Sequence, residues 1–285
     1  MFLKSNGFSP IFTFECGQCF RWKKIGSQYI GVVKGAVISI EENGLGYDIK
    51  IEQAIAQVSD NAIAHYFDES ADYSRILKVL SEKDDYLKTS TEAYRGLRLL
   101  NQDPFEALIT FIISANNNIP KIKMSVEALS QRFGTYIGDH NGQPYYSFPT
   151  VETLAKASLE DLNVKGIGYR AKAVSLTAKR IVDEQIDLST YQQYNYTDAK
   201  AELMKFYGVG DKVADCVLLF SLNHKEAFPI DTWVKKMLQT FYNVEDQTRA
   251  YQAFVEEYFT EYGGYAQQFL FYYMRENKNG IGGEK

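Results

Sequence analysis

The chain has 285 residues, 45% of them hydrophobic and 24% charged, with a net charge of −5. These proportions exclude a disordered chain, and the length points to about two domains. No run reaches the roughly 18 apolar residues a membrane span needs, and MFLKSNGFSP lacks the form of a secretory signal. The three cysteines (Cys16, Cys19, Cys216) are too few and too unevenly spaced to frame a disulfide scaffold, so a reduced, cytoplasmic protein is expected.

Residues 1–51 read as β. TFECGQCFRW, QYIGVVKG and AVISIEENGLGYDIKI are short, partly alternating runs rich in aromatic and β-branched residues. Turn residues at 24–27, 34–35 and 43–46 separate them, as in a small antiparallel sheet. From about residue 52 the pattern is helical. Residues 41–86 hold eleven acidic against four basic side chains, so the rest of the chain is net basic and the total charge says little about a polyanionic partner.

The helix starts are well marked. In NQDPFEALITFIIS, Asp103 can cap, Pro104 takes the first helical position and Glu106 completes a box-like pattern. KMSVEALSQRF, GYRAKAVSLTAKRIV, DKVADCVLLFSL, DTWVKKMLQTF and YAQQFLFYYM follow, with short connections except for an irregular stretch over 134–150. The fold class is α+β: a small N-terminal antiparallel β domain with linking helices (1–86) packed on a larger all-α body (87–285).

GIGYRAKAV at 166–174 and GVGDKVADC at 208–216 share Gly-hydrophobic-Gly, a base two residues later and then Ala. Each lies between helical stretches, the form of a helix-hairpin-helix. Its glycines permit a tight turn whose exposed N–H groups suit a phosphate oxygen. Residues 163–181 carry five bases and no acid, which fits that use.

Lys212 sits two residues past Gly210, in the first turn of an apolar helix. There the helix dipole disfavours an ammonium, and a neutral amine is what a nucleophilic or Schiff-base lysine requires. Position alone favours a solvated lysine leaving a turn. Asp231, after Pro229 and before a helical run, is a natural N-cap that could also face a cationic sugar. The Cys16–Cys19 pair falls in a predicted strand and lacks further ligands, so neither a metal nor a redox site is expected. Asn116–Asn118 break two helices, as a polar loop or as amides offered to bases. Tyr169 with Arg170 could pair a flat ring and a guanidinium fork against an exposed base. Gln267 and Phe271, four apart, share one face of the last helix.

Taken in order, FECGQCFRW, LRLLNQDPFEALITFIISANNNI, GIGYRAKAVS, GVGDKVADC followed by PID, and YAQQFLF resemble the helix-hairpin-helix DNA glycosylases. More narrowly, they are similar to 8-oxoguanine DNA glycosylase/AP lyases of the eukaryotic type. The resemblance covers almost the entire chain and implies a role for each matched position. Lys212 would attack C1′ of the damaged nucleotide and form the Schiff base, and Asp231 would stabilise positive charge on the sugar. Phe271 and Cys216 would sandwich the flipped base, with Gln267 on its Watson–Crick edge and the Gly17 carbonyl on its N7. Asn116 would fill the vacated space, Tyr169 and Arg170 would contact the widowed cytosine, and Gly208 and Gly210 would hold the backbone. Lys121 stands where the family often has an arginine that reads the opposite base.

The implied partner is double-stranded DNA carrying 8-oxoguanine opposite cytosine. No cofactor or membrane is implied, and a monomer would suffice, acting on nucleoid DNA in a bacterial cytoplasm. Two other readings compete. An alkylpurine glycosylase of the same fold would not need Lys212, and a non-catalytic DNA-binding module would bind with salt-dependent affinity but release no base.

Overall fold

Val33 and Ala36 pair across Lys34–Gly35, both left-handed at φ 50° and 72°, a two-residue turn whose twist matches the flanking strands. The computed structural model, which describes residues 1–4 and 7–277, builds a five-stranded antiparallel sheet around this hairpin. Its strands are β1 (Phe2–Lys4), β2 (Trp22–Ile25), β3 (Gln28–Val33), β4 (Ala36–Glu42) and β5 (Gly46–Ala54), in the order β1-β5-β4-β3-β2. On the inner face, Ala36, Ile38 and Ile40 of β4 pack with Phe14, Trp22, Ile63 and Phe67. Trp22 lies flat on Phe14, 4.1 Å between ring centroids, and against Gly31, where a Cβ would overlap the indole.

The outer face is covered as well. Ile30, Val32 and Val37 pack with Tyr145, which belongs to a second sheet of two strands, β6 (Tyr136–His140) and β7 (Gln143–Tyr146). This hairpin occupies the segment expected to be irregular, and it interrupts the helical region expected after residue 52. Asn141 and Gly142, at φ 50° and 72°, close it with the dipeptide that favours such turns. A second departure concerns the two cysteines. Pro10 starts a short helix α1 (Pro10–Phe14), as proline does at a first helical position, and Cys16–Cys19 follow in a turn rather than a strand.

The helices α2 (Asp60–Tyr66), α3 (Tyr73–Lys83), α4 (Asp85–Ala93), α5 (Pro104–Ser114) and α6 (Ile119–Phe133) precede and follow the linker over residues 94–103. After the β6–β7 hairpin come α7 (Val151–Lys156), α8 (Arg170–Asp183), α9 (Tyr196–Met204), α10 (Asp211–Ser221), α11 (Thr232–Tyr242), α12 (Thr248–Tyr258) and α13 (Gly263–Glu276). α5 is buried from Ala107 to Ser114 and α10 from Val213 to Phe220; helices with so little polar surface belong at the centre of a bundle. α5 packs on α6, α8 and α10. Asp103 caps α5 by accepting from the Phe105 and Glu106 amides.

The two halves interlock. Ile76 and Leu80 of α3 lie in the helical core, whereas Leu100, from the segment before α5, lies in the sheet core. Asp68 fastens them: it accepts from Tyr73 and Tyr265 hydroxyls at 3.0 and 2.9 Å and from Asn101 Nδ2 at 3.2 Å. Lys225 Nζ donates to Asn101 Oδ1 at 2.9 Å, and burial pushes its ammonium down while Asp68 works the other way. Such a fully partnered buried network rigidifies what it joins, and here it joins α13 to the N-terminal half.

Candidate active site

Both Gly-hydrophobic-Gly segments turn as their sequence requires. Gly166, Gly168 and Gly208 have φ of 85°, 56° and 82°, in the left-handed region that glycine adopts without strain. The second turn also lies against the helix that follows the first: a Cβ on Gly208 would lie 3.2 Å from Ala173 Cβ on α8. Gly210 is the N-cap of α10 and offers no side chain to cap it, so the first amides of α10 face outward without a side-chain acceptor, as at anion-binding helix ends.

Lys212 leaves the first turn of α10 and donates from Nζ to Ser114 Oγ at 3.2 Å, with the ammonium 5.3 Å from the Phe111 ring centroid. Ser114 ends α5 and passes its own hydrogen to the Phe111 carbonyl at 2.7 Å, which leaves a lone pair for the lysine. Cys216 lies one turn further along α10 and is 3% exposed. Burial pushes its thiol up to about 11; Lys212 pulls it down, and Asp215 and Asp231 push it up. The thiol is therefore neutral at physiological pH, a soft, polarisable surface rather than a reactive thiolate. Asp231 caps α11, its Oδ1 accepting from the Val234 amide at 2.9 Å, and its field reaches the same sulfur. An open groove of about 1220 Å³ runs past Ala115, Gly208, Gly210 and Lys212 toward α12.

Gln267 is 4% exposed, and its Oε1 has no hydrogen-bond partner among the described residues. An unpaired buried acceptor costs about 1–3 kcal/mol. Phe271, one turn on, is half-buried. Gly17 has φ 83°, and the position its Cβ would take lies 3.7 Å from Phe271 and from Ile119. Three sequence-distant elements, the turn over 15–19, α10 and α13, thus supply the residues expected to hold a base.

The asparagines divide their work. Asn116 is exposed and left-handed at φ 49°; Asn117 bonds back to the Ile113 carbonyl at 3.1 Å, and Asn118 caps α6 by accepting from the Lys121 amide at 3.0 Å. Lys121 is exposed in that first turn. Tyr169 is 70% exposed, its hydroxyl 3.5 Å from the Ala115 carbonyl. Arg170, by contrast, is buried, with its guanidinium on main-chain carbonyls: Nε and Nη2 on Ala115 at 2.8 and 2.6 Å, Nη2 also on Asn116 at 2.9 Å. In the free protein it braces the asparagine turn.

Sequence reasoning passed over several residues here. Ser114, Gln18, Gln102 and Gln268 fall inside the matched motifs without a role of their own, and Arg275 lies beyond the last of them. Gln18 is fully buried, donating to the Thr13 and Arg98 carbonyls at 2.9 and 2.7 Å and accepting from the Leu100 amide at 2.8 Å. A buried glutamine inside a short aromatic turn is a signal, though not one that names its partners.

Paired glycine hairpins on a helical body, with a lysine at the start of the second hairpin's helix, define a helix-hairpin-helix DNA repair fold. Residues 109–261 match the HhH-GPD superfamily of base excision DNA repair proteins, and residues 1–108 match the 8-oxoguanine DNA glycosylase N-terminal domain. Clostridium acetobutylicum 8-oxoguanine glycosylase/lyase, solved in complex with dsDNA containing cytosine opposite 8-oxoG, superposes with a TM-score of 0.89; it is 37% identical, with 98% of each chain covered. The N-glycosylase/DNA lyase OGG1 of Arabidopsis thaliana is 32% identical over 278 residues, 91% of this chain and 75% of that one. A probable N-glycosylase/DNA lyase of Methanothermobacter thermautotrophicus is 32% identical over 238 residues, 75% of this chain and 74% of the other. The chain belongs to the HhH-GPD superfamily and, within it, to the 8-oxoguanine DNA glycosylase family.

Proposed function

We propose that this protein is a bifunctional DNA repair enzyme that excises 8-oxoguanine from duplex DNA through an imine on Lys212 and then nicks the strand. The observation that carries this reading is a cluster at the start of α10: Lys212 Nζ on Ser114 beside an open groove, the buried neutral Cys216 one turn away, and the Asp231 carboxylate within electrostatic reach of that thiol.

In this reading the amine of Lys212 forms a bond to C1′ while the C1′–N9 bond breaks; its electron pair leaves with the base, which takes up a proton. Asp231 opposes the positive charge that develops on the sugar. The nitrogen then gives up its proton, the sugar ring opens with its oxygen protonated, and the imine acidifies the C2′ hydrogen. Loss of that hydrogen expels the 3′ phosphate, and water frees the lysine.

Recognition follows from the same geometry. The extruded base enters between Cys216 and Phe271, where Gln267 Oε1 accepts from its Watson–Crick edge. Guanine N7 is an acceptor, whereas 8-oxoguanine carries a hydrogen there, so a carbonyl at Gly17 attracts one and repels the other. A mispaired buried polar group costs about 1–3 kcal/mol, roughly ten- to over a hundredfold in selection, and extrusion adds a further sieve. The hairpin of Gly208 and Gly210 holds the backbone. Asn116 takes the vacated space, Lys121 and Tyr169 stand toward the opposite base, and Arg170 reaches the cytosine by exchanging a carbonyl it now holds. Residues 1–86 supply the lesion-reading turn and residues 87–285 the nucleophile and the hairpins. Among the described residues no helix is long and apolar enough to cross a membrane, and we place the enzyme as a monomer on nucleoid DNA in the cytoplasm.

Borohydride trapping on a duplex with one 8-oxoguanine opposite cytosine tests this. Wild type should give a covalent adduct and Lys212→Gln none. Base release without an adduct would overturn the imine, and no release would return the chain to the alkylpurine or binding-module reading.

A further inference from the structure

The turn that carries Gly17 has no strand or helix of its own, and side chains hold it in place of a backbone ladder. Glu15 O accepts from Arg275 Nη2, Cys16 O from Gln268 Nε2 at 2.8 Å and Gln18 O from Gln102 Nε2 at 2.8 Å. Among the described residues no donor meets the one carbonyl between them, that of Gly17. Two of the three donors come from α13, the helix that also bears Gln267 and Phe271.

We infer that Gln268 and Arg275 are positioning residues that fix the direction of the Gly17 carbonyl and so set the preference for 8-oxoguanine over guanine. This rests on the reading of Gly17 given above and extends it to residues that touch no base. A glycine at φ 83° has the freest backbone in the turn, so the peptide that must oppose N7 is also the one most able to rotate. Gln268 and Gln102 fix the carbonyls directly before and after it, and Arg275 fixes that of Glu15 one residue further back, which together remove that freedom. Because the clamps and the stacking ring share one helix, the carbonyl and the ring keep their spacing when the helix shifts.

Arg275 is held for this task at a cost. Its guanidinium lies 4.8 Å from the Tyr272 ring and 5.7 Å from the Phe271 ring. Its Nε and Nη2 pair with Glu276 Oε1 at 3.0 Å, whereas its Nη1 is buried without a partner among the described residues, 3.8 Å from where a Gly17 Cβ would be. A residue kept only for packing would be served better by an apolar side chain of similar volume.

The test compares wild type with Arg275→Met, Arg275→Lys and Gln268→Ala on two substrates: a duplex with 8-oxoguanine opposite cytosine, and the same duplex with a preformed abasic site. Strand cleavage at the abasic site needs Lys212 but no base. Single-turnover release of 8-oxoguanine should fall about tenfold in Arg275→Met and Gln268→Ala, with abasic cleavage within about twofold of wild type. Arg275→Lys, which keeps one donor for Glu15, should recover part of the loss. In a Lys212→Gln background, the ratio of dissociation constants for guanine and 8-oxoguanine duplexes should shrink by a similar factor. Equal losses on both substrates in both positions, or no loss on either, would overturn the inference. A wild-type enzyme that cuts abasic DNA but releases no 8-oxoguanine would instead remove the base-reading role beneath it, and this inference with it.

Discussion

Ser114 Oγ gives its hydrogen to the Phe111 carbonyl at 2.7 Å and receives one from Lys212 Nζ at 3.2 Å, so a hydroxyl at the end of α5 aims an amine at the start of α10. Ser114→Ala leaves the lysine present and unaimed. One hydrogen bond of this kind contributes about 0.5–1.5 kcal/mol. Single-turnover release of 8-oxoguanine is therefore expected to fall roughly two- to tenfold, with the borohydride adduct still formed. Complete loss of the adduct would show that the serine does more than aim.

Gln267→Met removes a buried acceptor that has no partner among the described residues. Thermal melting should then be unchanged or higher, because a desolvated oxygen gives way to an apolar side chain of similar size. Release of 8-oxoguanine should fall at least tenfold in the same protein. A lower melting temperature together with unchanged release would contradict the role given to Gln267.

Glu106 gives the fold a pH dependence. It lies 3.9 Å from Arg21, and burial pushes its carboxyl up from 4.5 to about 7 against the pull of that guanidinium. The folded chain thus holds the proton more tightly than the unfolded one. The support this group gives to folding is complete below about pH 4.5 and is lost as pH rises through 7. The stability difference between Glu106→Gln and wild type should move toward the glutamine by on the order of 1–3 kcal/mol between pH 5 and pH 8. Denaturant titrations at the two pH values measure it, and parallel curves would rule it out.

Arg170→Lys keeps the charge but loses the fork that engages both Ala115 and Asn116. A lysine makes point contacts and does not replace planar bidentate geometry. Affinity for a lesion duplex opposite cytosine is expected to drop about tenfold, by fluorescence anisotropy at fixed salt. Equal binding by the two proteins would assign the affinity to charge alone.

The chemistry of the site was more legible in the sequence than its scaffolding. Lys212 and Asp231 stand out because hairpin and cap positions are local patterns, and the matched motifs run in order from one end of the chain to the other. Ser114 meets Lys212 across 98 residues and Gln268 meets Cys16 across 252; no window of sequence holds both partners of such a pair. Arg170 stands out in the sequence as a guanidinium beside the first glycine turn, but its hold on the main chain of a distant turn does not. The β6–β7 hairpin is a different case. Its Asn141–Gly142 signal was present, but the flanking residues alternate poorly, and only burial of Tyr145 against the first sheet makes them strands.

The Asp68 network bears on how this chain could be taken apart. Its partners lie on α3, in the linker before α5 and on α13, at nearly opposite ends of the sequence. Cutting the protein between the linker and α5 would leave Tyr265 and Lys225 without their partners on one fragment, and Asp68 with only Tyr73 and Asn101 on the other. A chimera that takes its first hundred residues from a relative therefore inherits function only if it also inherits the matching last helix. The two ends of the chain are constrained to change together.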